Sequence, residues 1–535
     1  MVYVKTILTV LMFSLLFACN SRVEDQPNII IIMADDMGYS DIGCYGGEIE
    51  TPNLDAMASE GVRFTQFYNN ARCCPTRAAL LTGLYPHQTG LGHMVGGKPG
   101  EEGYRGEIGD NCVTIAEVLG SSGYSTYMSG KWHVSHSRTP EDKSNWPLQR
   151  GFENFFGTIT GAGSYYNPAT LTLMNKPVKA GPDFYYTDAI SDTACSFINK
   201  HKDQDDESPM FMYVAYTAPH WPLHAPEEVV NKYEDLYMKG WDVLREERYK
   251  RLVEMGIIDG KMQISGRDKR VPAWENVEEK KWQARRMAVY AAQVNILDQG
   301  IGRIMKSLEE NGMADNTLVF FLADNGGCAE GWNNETEWIR RYSPAWTYDS
   351  IEIKFGNSPA IIPGADSTYS SYATEWANLS NTPFRWYKHY GHEGGVASPF
   401  IMHWPARIKP DGKFRTQVSG VIDIMATITD AAGIQYPKLY KGHAITPLEG
   451  VSLVDAALYN KDLDRDTYYC EHEWNRYIRK GKWKLVALHN GEWELYDMEK
   501  DRTELNDLSD EYPDLTTELK NKWEKWAWRT GVLPK

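Results

Sequence analysis

Uninterrupted apolar runs recur along this chain, and each leads at once into polar residues. Asn28 to Ala34 reads Asn-Ile-Ile-Ile-Ile-Met-Ala, and Thr317 to Ala323 reads Thr-Leu-Val-Phe-Phe-Leu-Ala. Neither alternates, so each predicts a strand buried on both faces, as in a parallel sheet covered by helices. Tyr124 to Met128, Met210 to Tyr216 and Pro399 to Trp404 predict further strands that end in polar loops. Trp282 to Glu310 has the spacing of a long amphipathic helix and stops at Asn311-Gly312, and Val418 to Ala432 predicts a helix that closes the large domain. After about Gly433 the pattern changes to short alternating strands from Tyr468 to Tyr496, with turns at Gly481 and Asn490-Gly491, and then a helix from Asp510 to Trp528. The pattern predicts an α/β fold: a large mixed, mainly parallel sheet sandwiched by helices over 27–433, with a smaller C-terminal α+β subdomain on an antiparallel sheet over 434–535.

The N-terminus reads differently. Lys5 precedes an apolar run from Ile7 to Ala18 that is too short to span a bilayer comfortably, which predicts an export leader over 1–19 and a linker over 20–26. Leu16-Phe17-Ala18-Cys19 resembles a lipobox, in which Cys19 becomes a lipid-bearing N-terminus; simple secretion is the alternative. Either reading places the mature protein outside the cytoplasm, in a bacterial periplasm or lipid-anchored to the outer membrane, with the anchor as its only membrane contact.

Composition narrows the partners. The 535 residues carry a formal charge of −16, which argues against nucleic acid, and 42% hydrophobic content supplies real cores. An anionic substrate therefore needs a local basic cluster that works against the overall field. Of 8 cysteines, Cys44, Cys74, Cys112, Cys195, Cys328 and Cys470 show no Cys-x-x-Cys spacing, so a zinc site of that kind is not expected, while one or two disulfides would suit an exported protein.

Candidate chemistry sits at the ends of the predicted strands, where open α/β sheets bind ligands. Asp35 and Asp36 follow the first run, and Asp324 and Asn325, then Gly326-Gly327, follow the other. Asp and Gly are ordinary turn residues, but two strand ends of this kind offer four oxygen ligands with no nitrogen or sulfur, which suits Ca²⁺ or Mg²⁺. Lys131 and His133 lie in Gly130-Lys131-Trp132-His133, and His220 in Thr217-Ala218-Pro219-His220. His136 and His224 lie nearby as possible substrate contacts. Cys73-Cys74-Pro75-Thr76-Arg77 opens an apolar run that ends in Leu81-Thr82-Gly83. A proline in the first helical turn places Cys73 just before a helix N-terminus, where free N–H groups and the dipole favour an anion. The aromatic-rich stretch from Cys328 to Asn381 reads as a pocket-shaping segment or a surface elaboration.

Cys73-x-Pro75-Thr76-Arg77 followed by Leu81-Thr82-Gly83, the Gly-Lys-Trp-His string, and Lys388 five residues before Glu393-Gly394-Gly395 resemble the formylglycine-dependent (type I) sulfatases. Tyr85-Pro86-His87-Gln88-Thr89-Gly90 points to their arylsulfatase-like branch. The resemblance runs through nearly the whole chain after residue 26 and implies an alkaline phosphatase-like fold. It implies that a maturation enzyme oxidises Cys73, not Cys74, to formylglycine, whose hydrate attacks sulfur. It further implies that one divalent cation is held by Asp35, Asp36, the modified Cys73, Asp324 and Asn325, with Arg77 positioning the diol and the ligands. By the same resemblance, Lys131 and Lys388 stabilise the sulfuryl group, His220 with Lys388 protonates the leaving oxygen, and His133 is the base that re-forms the aldehyde. Lys131, His220 and Lys388 then also bind substrate; His392 and Glu471 to Arg476 are further candidates, while Arg385, like His392, is not fixed by the motif and reads as loop surface. The expected activity is hydrolysis of a sulfate ester, with a sulfated glycan as the expected substrate and a small aryl sulfate as the alternative. A phosphate or phosphonate ester hydrolase of the same superfamily and a catalytically silent glycan-binding lipoprotein are the competing readings.

Overall fold

The computed structural model describes residues 26–97, 101–135, 142–203, 208–331, 347 and 349–534. The leader segment with Cys19, His136 and part of the aromatic-rich stretch lie outside the described residues.

Ten strands build the central sheet: β1 (Asn28–Ala34), β2 (Val62–Tyr68), β3 (Ser125–Lys131), β4 (Asn154–Thr158), β5 (Leu171–Leu173), β6 (Lys176–Pro177), β7 (Met210–Ala215), β8 (Thr317–Ala323), β11 (Ala397–His403) and β12 (Ser419–Gly420). Between β8 and β11, β9 (Lys354–Phe355) pairs with β10 (Thr368–Tyr369) as a separate ribbon. The spatial order is β12-β2-β11-β8-β1-β7-β3-β4-β5-β6. β8, β1, β7, β3 and β4 are mutually parallel, while β11 runs against both β8 and β2, and β5 against β4 and β6. Ile29 to Ala34 are all fully buried, and successive side chains point to opposite faces, so both faces of β1 are covered. One group of helices, Pro52–Glu60, Tyr186–Asp203 and the 31-residue Lys280–Glu310, packs together, and Cys73–Thr82 packs with Asp423–Ala432.

The bounds of β1 and β8 are those their apolar runs predict. The helix expected over Val418 to Ala432 instead starts at Asp423, because Ser419 and Gly420 pair with Phe67 and Tyr68 of β2 as an edge strand. The Asp423 carboxylate accepts from the Gly420 N–H at 2.8 Å and marks the change from strand to helix. The disulfide expectation is not met: Cys44, Cys73, Cys74, Cys112, Cys195, Cys328 and Cys470 are all free.

After a short ribbon of β13 (Leu439–Tyr440) and β14 (His443–Ala444), the C-terminal part is an antiparallel sheet of β15 (Thr467–His472), β16 (Asn475–Lys480), β17 (Trp483–Ala487) and β18 (Glu494–Asp497), packed by the helix Pro513–Thr530. A buried charge cluster ties it to the large domain. Lys484 Nζ donates to Glu393 at 2.9 Å and pairs with Glu504 at 2.8 Å, while Arg502 donates to Glu393 at 2.8 Å. Burial alone would push Glu393 up, but Lys484 and Arg502 outweigh it and hold the carboxyl at about 2. Lys484→Met would leave two buried carboxylates short of a countercharge and should cost about 3–5 kcal/mol, the scale for breaking a buried pair. Calorimetry should show a clearly lowered Tm; an unchanged Tm would mean that the cluster does not anchor the subdomain.

Candidate active site

The parallel strands deliver their C-terminal ends to one place. Asp35 and Asp36 follow β1, Asp324 and Asn325 follow β8, Lys131 closes β3, and His220 lies in the loop after β7. Gly130, one residue before Lys131, has φ 120° and lies so close to β7 that a Cβ would overlap the Ala215 carbonyl, so glycine lets β3 seat Lys131 there. Cys73 is the first residue of the helix Cys73–Thr82, one place further in than the proline rule suggests, and is 2% exposed. Asp36, Ala71, His133 and His389 all have positive φ, between 55° and 85°, a clustering of backbone strain typical of functional sites.

Asp324 receives Arg77 Nη2 at 2.8 Å and Nε at 3.1 Å, and its other oxygen accepts from the Asp36 N–H at 3.2 Å. Arg77 also donates to the Lys131 carbonyl at 3.2 Å and stands 3.6 Å from Asp35. Lys131 pairs with Asp35. Lys388 Nζ lies 2.8 Å from Asp36 Oδ1 and 3.4 Å from His220 Nε2, and that ring nitrogen is 3.3 Å from Asp36 Oδ2. Asn325 donates to Asp36 at 2.7 Å. All of these groups are buried.

The electrostatics favour an added cation. Burial, then the nearby charge of Asp324, raises Asp35 well above the usual carboxylate range, while His220 and Lys388 hold Asp36 below it against burial. Asp35 Oδ1 and Asn325 Oδ1 are buried without a hydrogen-bond partner among the described residues. Two unpartnered oxygens beside two further carboxylates fit a hard oxygen-ligated ion. A hydrogen bond from Cys74, with Lys131 and His133 close by, holds the Cys73 thiol well below its ordinary value despite burial. His133 is set against this thiol pair, 3.3 Å from Cys74 Sγ, and burial pushes it to about 4. Burial pushes His220 to about 3. Its Nδ1 lies 2.6 Å from the Trp221 carbonyl, which fixes the proton on Nδ1 and leaves the Nε2 lone pair facing the Lys388 ammonium.

His392 does not join this cluster: its ring faces Glu494 at 3.2 Å and Trp386. Arg385 pairs with the same Glu494 at 2.6 Å, so both residues hold the C-terminal sheet instead of lining the reactive centre. His224 lies between the Tyr165 N–H and the Thr368 carbonyl and supports a loop. A group not legible in the sequence stands beside Cys73: Arg72 pairs with Glu330 at 2.7 Å, and both contact His389. Its parts come from segments far apart in the chain, and the only local signal was that Arg72 adjoins Cys73. Glu473, within the candidate rim segment, reaches His389 at 3.0 Å.

Comparison with known proteins finds similarity along nearly the whole chain. The sulfatase family profile matches residues 27–434, and that of the N-sulphoglucosamine sulphohydrolase C-terminal region matches 383–528. An uncharacterized sulfatase of Schizosaccharomyces pombe is 35% identical over 96% of both chains, and an arylsulfatase of Klebsiella aerogenes is 35% identical over 80% of this chain and 92% of its own. A solved structure in complex with its substrate D-glucosamine-2-N,6-O-disulfate superposes with a TM-score of 0.63 at 22% identity, covering 95% of this chain and 99% of that one, a likeness of fold.

Proposed function

The chain belongs to the sulfatase family and is a sulfuric ester hydrolase, and on that premise we propose that it removes sulfate from sulfated carbohydrates, using a formylglycine at position 73 and a divalent cation. The observation that carries this reading is the convergence of Cys73, four acceptor side chains, two lysines and His220 on one buried spot. Asp35, Asp36, Asp324 and Asn325 would hold the cation, with Ca²⁺ favoured by the all-oxygen donor set. The cation would act as a Lewis acid toward the sulfuryl oxygens, and the hydrated formylglycine would supply the nucleophilic hydroxyl.

The remaining work falls to ordinary side chains. Lys131 and Lys388 bring positive charge to the sulfuryl group as charge moves onto its oxygens, in a buried site. Arg77 holds Asp324 and the Lys131 carbonyl in place from the same helix that carries Cys73. Lys388 donates toward the lone pair of His220 Nε2, so the two share one proton that can pass to the departing alkoxide. His133, kept neutral by burial, is suited to take the proton that releases sulfate.

A carbohydrate leaving group is supported by a cavity of about 640 Å³ lined by His93, Met94, Tyr104, Glu473, Trp474 and His489. Met94 joins it to the centre, with its sulfur 3.8 Å from Cys74 Sγ. The sugar disulfate in the structural neighbour is of the same substrate class. The leader-like segment 1–19 supports export, with Cys19 as the lipid-bearing residue, and the Cys73 motif supports a formylglycine-generating enzyme as a maturation partner. Inorganic sulfate release from a panel of mono-sulfated sugars, 4-nitrophenyl sulfate and 4-nitrophenyl phosphate tests the proposal. Highest kcat/KM on one sugar sulfate is expected; a preference for the phosphate ester would overturn it.

A further inference from the structure

We propose that His389, His472 and Glu473, with His93 beside them, form a second metal site, for Zn²⁺ or a similar borderline divalent ion, at the junction of the two parts of the chain. His93 and His389 belong to the large domain, whereas His472 ends β15 and Glu473 begins the turn to β16. His389 Nδ1 lies 3.0 Å from Glu473 Oε2, His93 Nε2 lies 3.1 Å from Oε1, and His472 Nε2 lies 3.7 Å from Oε1. Tetrahedral zinc with bonds of about 2.0–2.1 Å holds neighbouring donors about 3.3 Å apart. The three separations to Glu473 bracket that edge, and the donor atoms of His389, His472 and Glu473 all lie within 4.8 Å of one another.

His472 supplies an independent observation. It is fully buried, and neither ring nitrogen has a hydrogen-bond partner among the described residues. A buried imidazole left this way is costly unless something binds it.

The surroundings also fit. His389 Nε2 lies 3.0 Å from Glu330, the carboxylate that commonly backs a metal-bound imidazole. Arg72 stands against the same nitrogen, so metal binding at Nδ1 requires Arg72 to turn to Glu330 alone, with which it is already paired. With neutral histidines, Glu330 and Glu473 against Arg72 leave one negative charge, which favours a cation. Glu473 and Trp474 have φ 51° and 66°, in a two-residue turn that normally takes Asn-Gly. Metal bonds would offset that strain. His93 is half-exposed on the cavity wall and gives an ion its way in. The ion would staple the β15–β16 turn to the large domain beside Arg72, the residue before Cys73.

The test uses the full protein loaded with Ca²⁺ and titrated with Zn²⁺ by calorimetry and with Co²⁺ by absorption. One equivalent should bind, with the d–d bands of a nitrogen–oxygen site and no thiolate-to-cobalt charge-transfer band. That band would betray binding at Cys73, Cys74 and His133, which also cluster. His472→Ala and Glu473→Gln should each weaken zinc more than about tenfold and abolish the zinc-dependent rise in Tm. If His472→Ala does not fold, Glu473→Gln decides alone. No binding, a thiolate band, or unchanged affinity in a folded variant would overturn the proposal.

Discussion

Cys73→Ala should lower sulfate release by on the order of 10⁴-fold or more while leaving the protein folded, the scale seen when a covalent nucleophile is removed. Cys73 is the first residue of its helix, next to Cys74, His133 and Lys131, with only 2% of its surface exposed. Alanine fits that space and keeps the other four cation ligands, Arg77 and both lysines, so binding of the sulfated substrate should persist while kcat disappears. Far-UV circular dichroism and substrate affinity, measured beside kcat, separate this result from unfolding. Turnover within tenfold of the parent would show that another group attacks sulfur.

His220→Ala carries the second large effect, and it depends on the leaving group. The proton shared by Lys388 and His220 matters when the departing oxygen is a strongly basic alkoxide, and little when it is 4-nitrophenolate. The substitution should lower kcat by about 10²–10⁴-fold on a sugar sulfate, the range for general acid catalysis, with a much smaller loss on 4-nitrophenyl sulfate. Equal losses on both esters would place His220 in binding or in support of Asp36, from which its Nε2 is 3.3 Å, and not in proton transfer.

The parts of this site that were legible in the sequence are those where local chemistry and strand position coincide. Four consecutive β-branched residues in a short apolar run favour a strand buried on both faces, so β1 and the carboxylates after it could be read directly. β8 repeats the pattern, and its bounds also match. Val418 to Ala432 misled because an apolar run of that length suits a helix, whereas its first residues pair with β2, a partner 352 positions away that sequence periodicity does not reveal. The same reason hides Arg72, Glu330 and His389, which become neighbours only once the sheet has formed. The turn at Glu473 and Trp474 lacks the Asn-Gly signal of a tight hairpin, so the sequence marks Gly481 and Asn490-Gly491 and passes over it. His392 and Arg385 lie beside motif residues but point to Glu494, since neighbours in sequence need not share a direction.

The central claim is that turnover depends on converting Cys73 to formylglycine. The direct measurement is the mass of the peptide containing Cys73, paired with sulfate release, on protein produced with and without a formylglycine-generating enzyme. Sulfate release should rise in proportion to the converted fraction and vanish in protein that keeps the cysteine. Equal turnover by converted and unconverted protein would contradict the account.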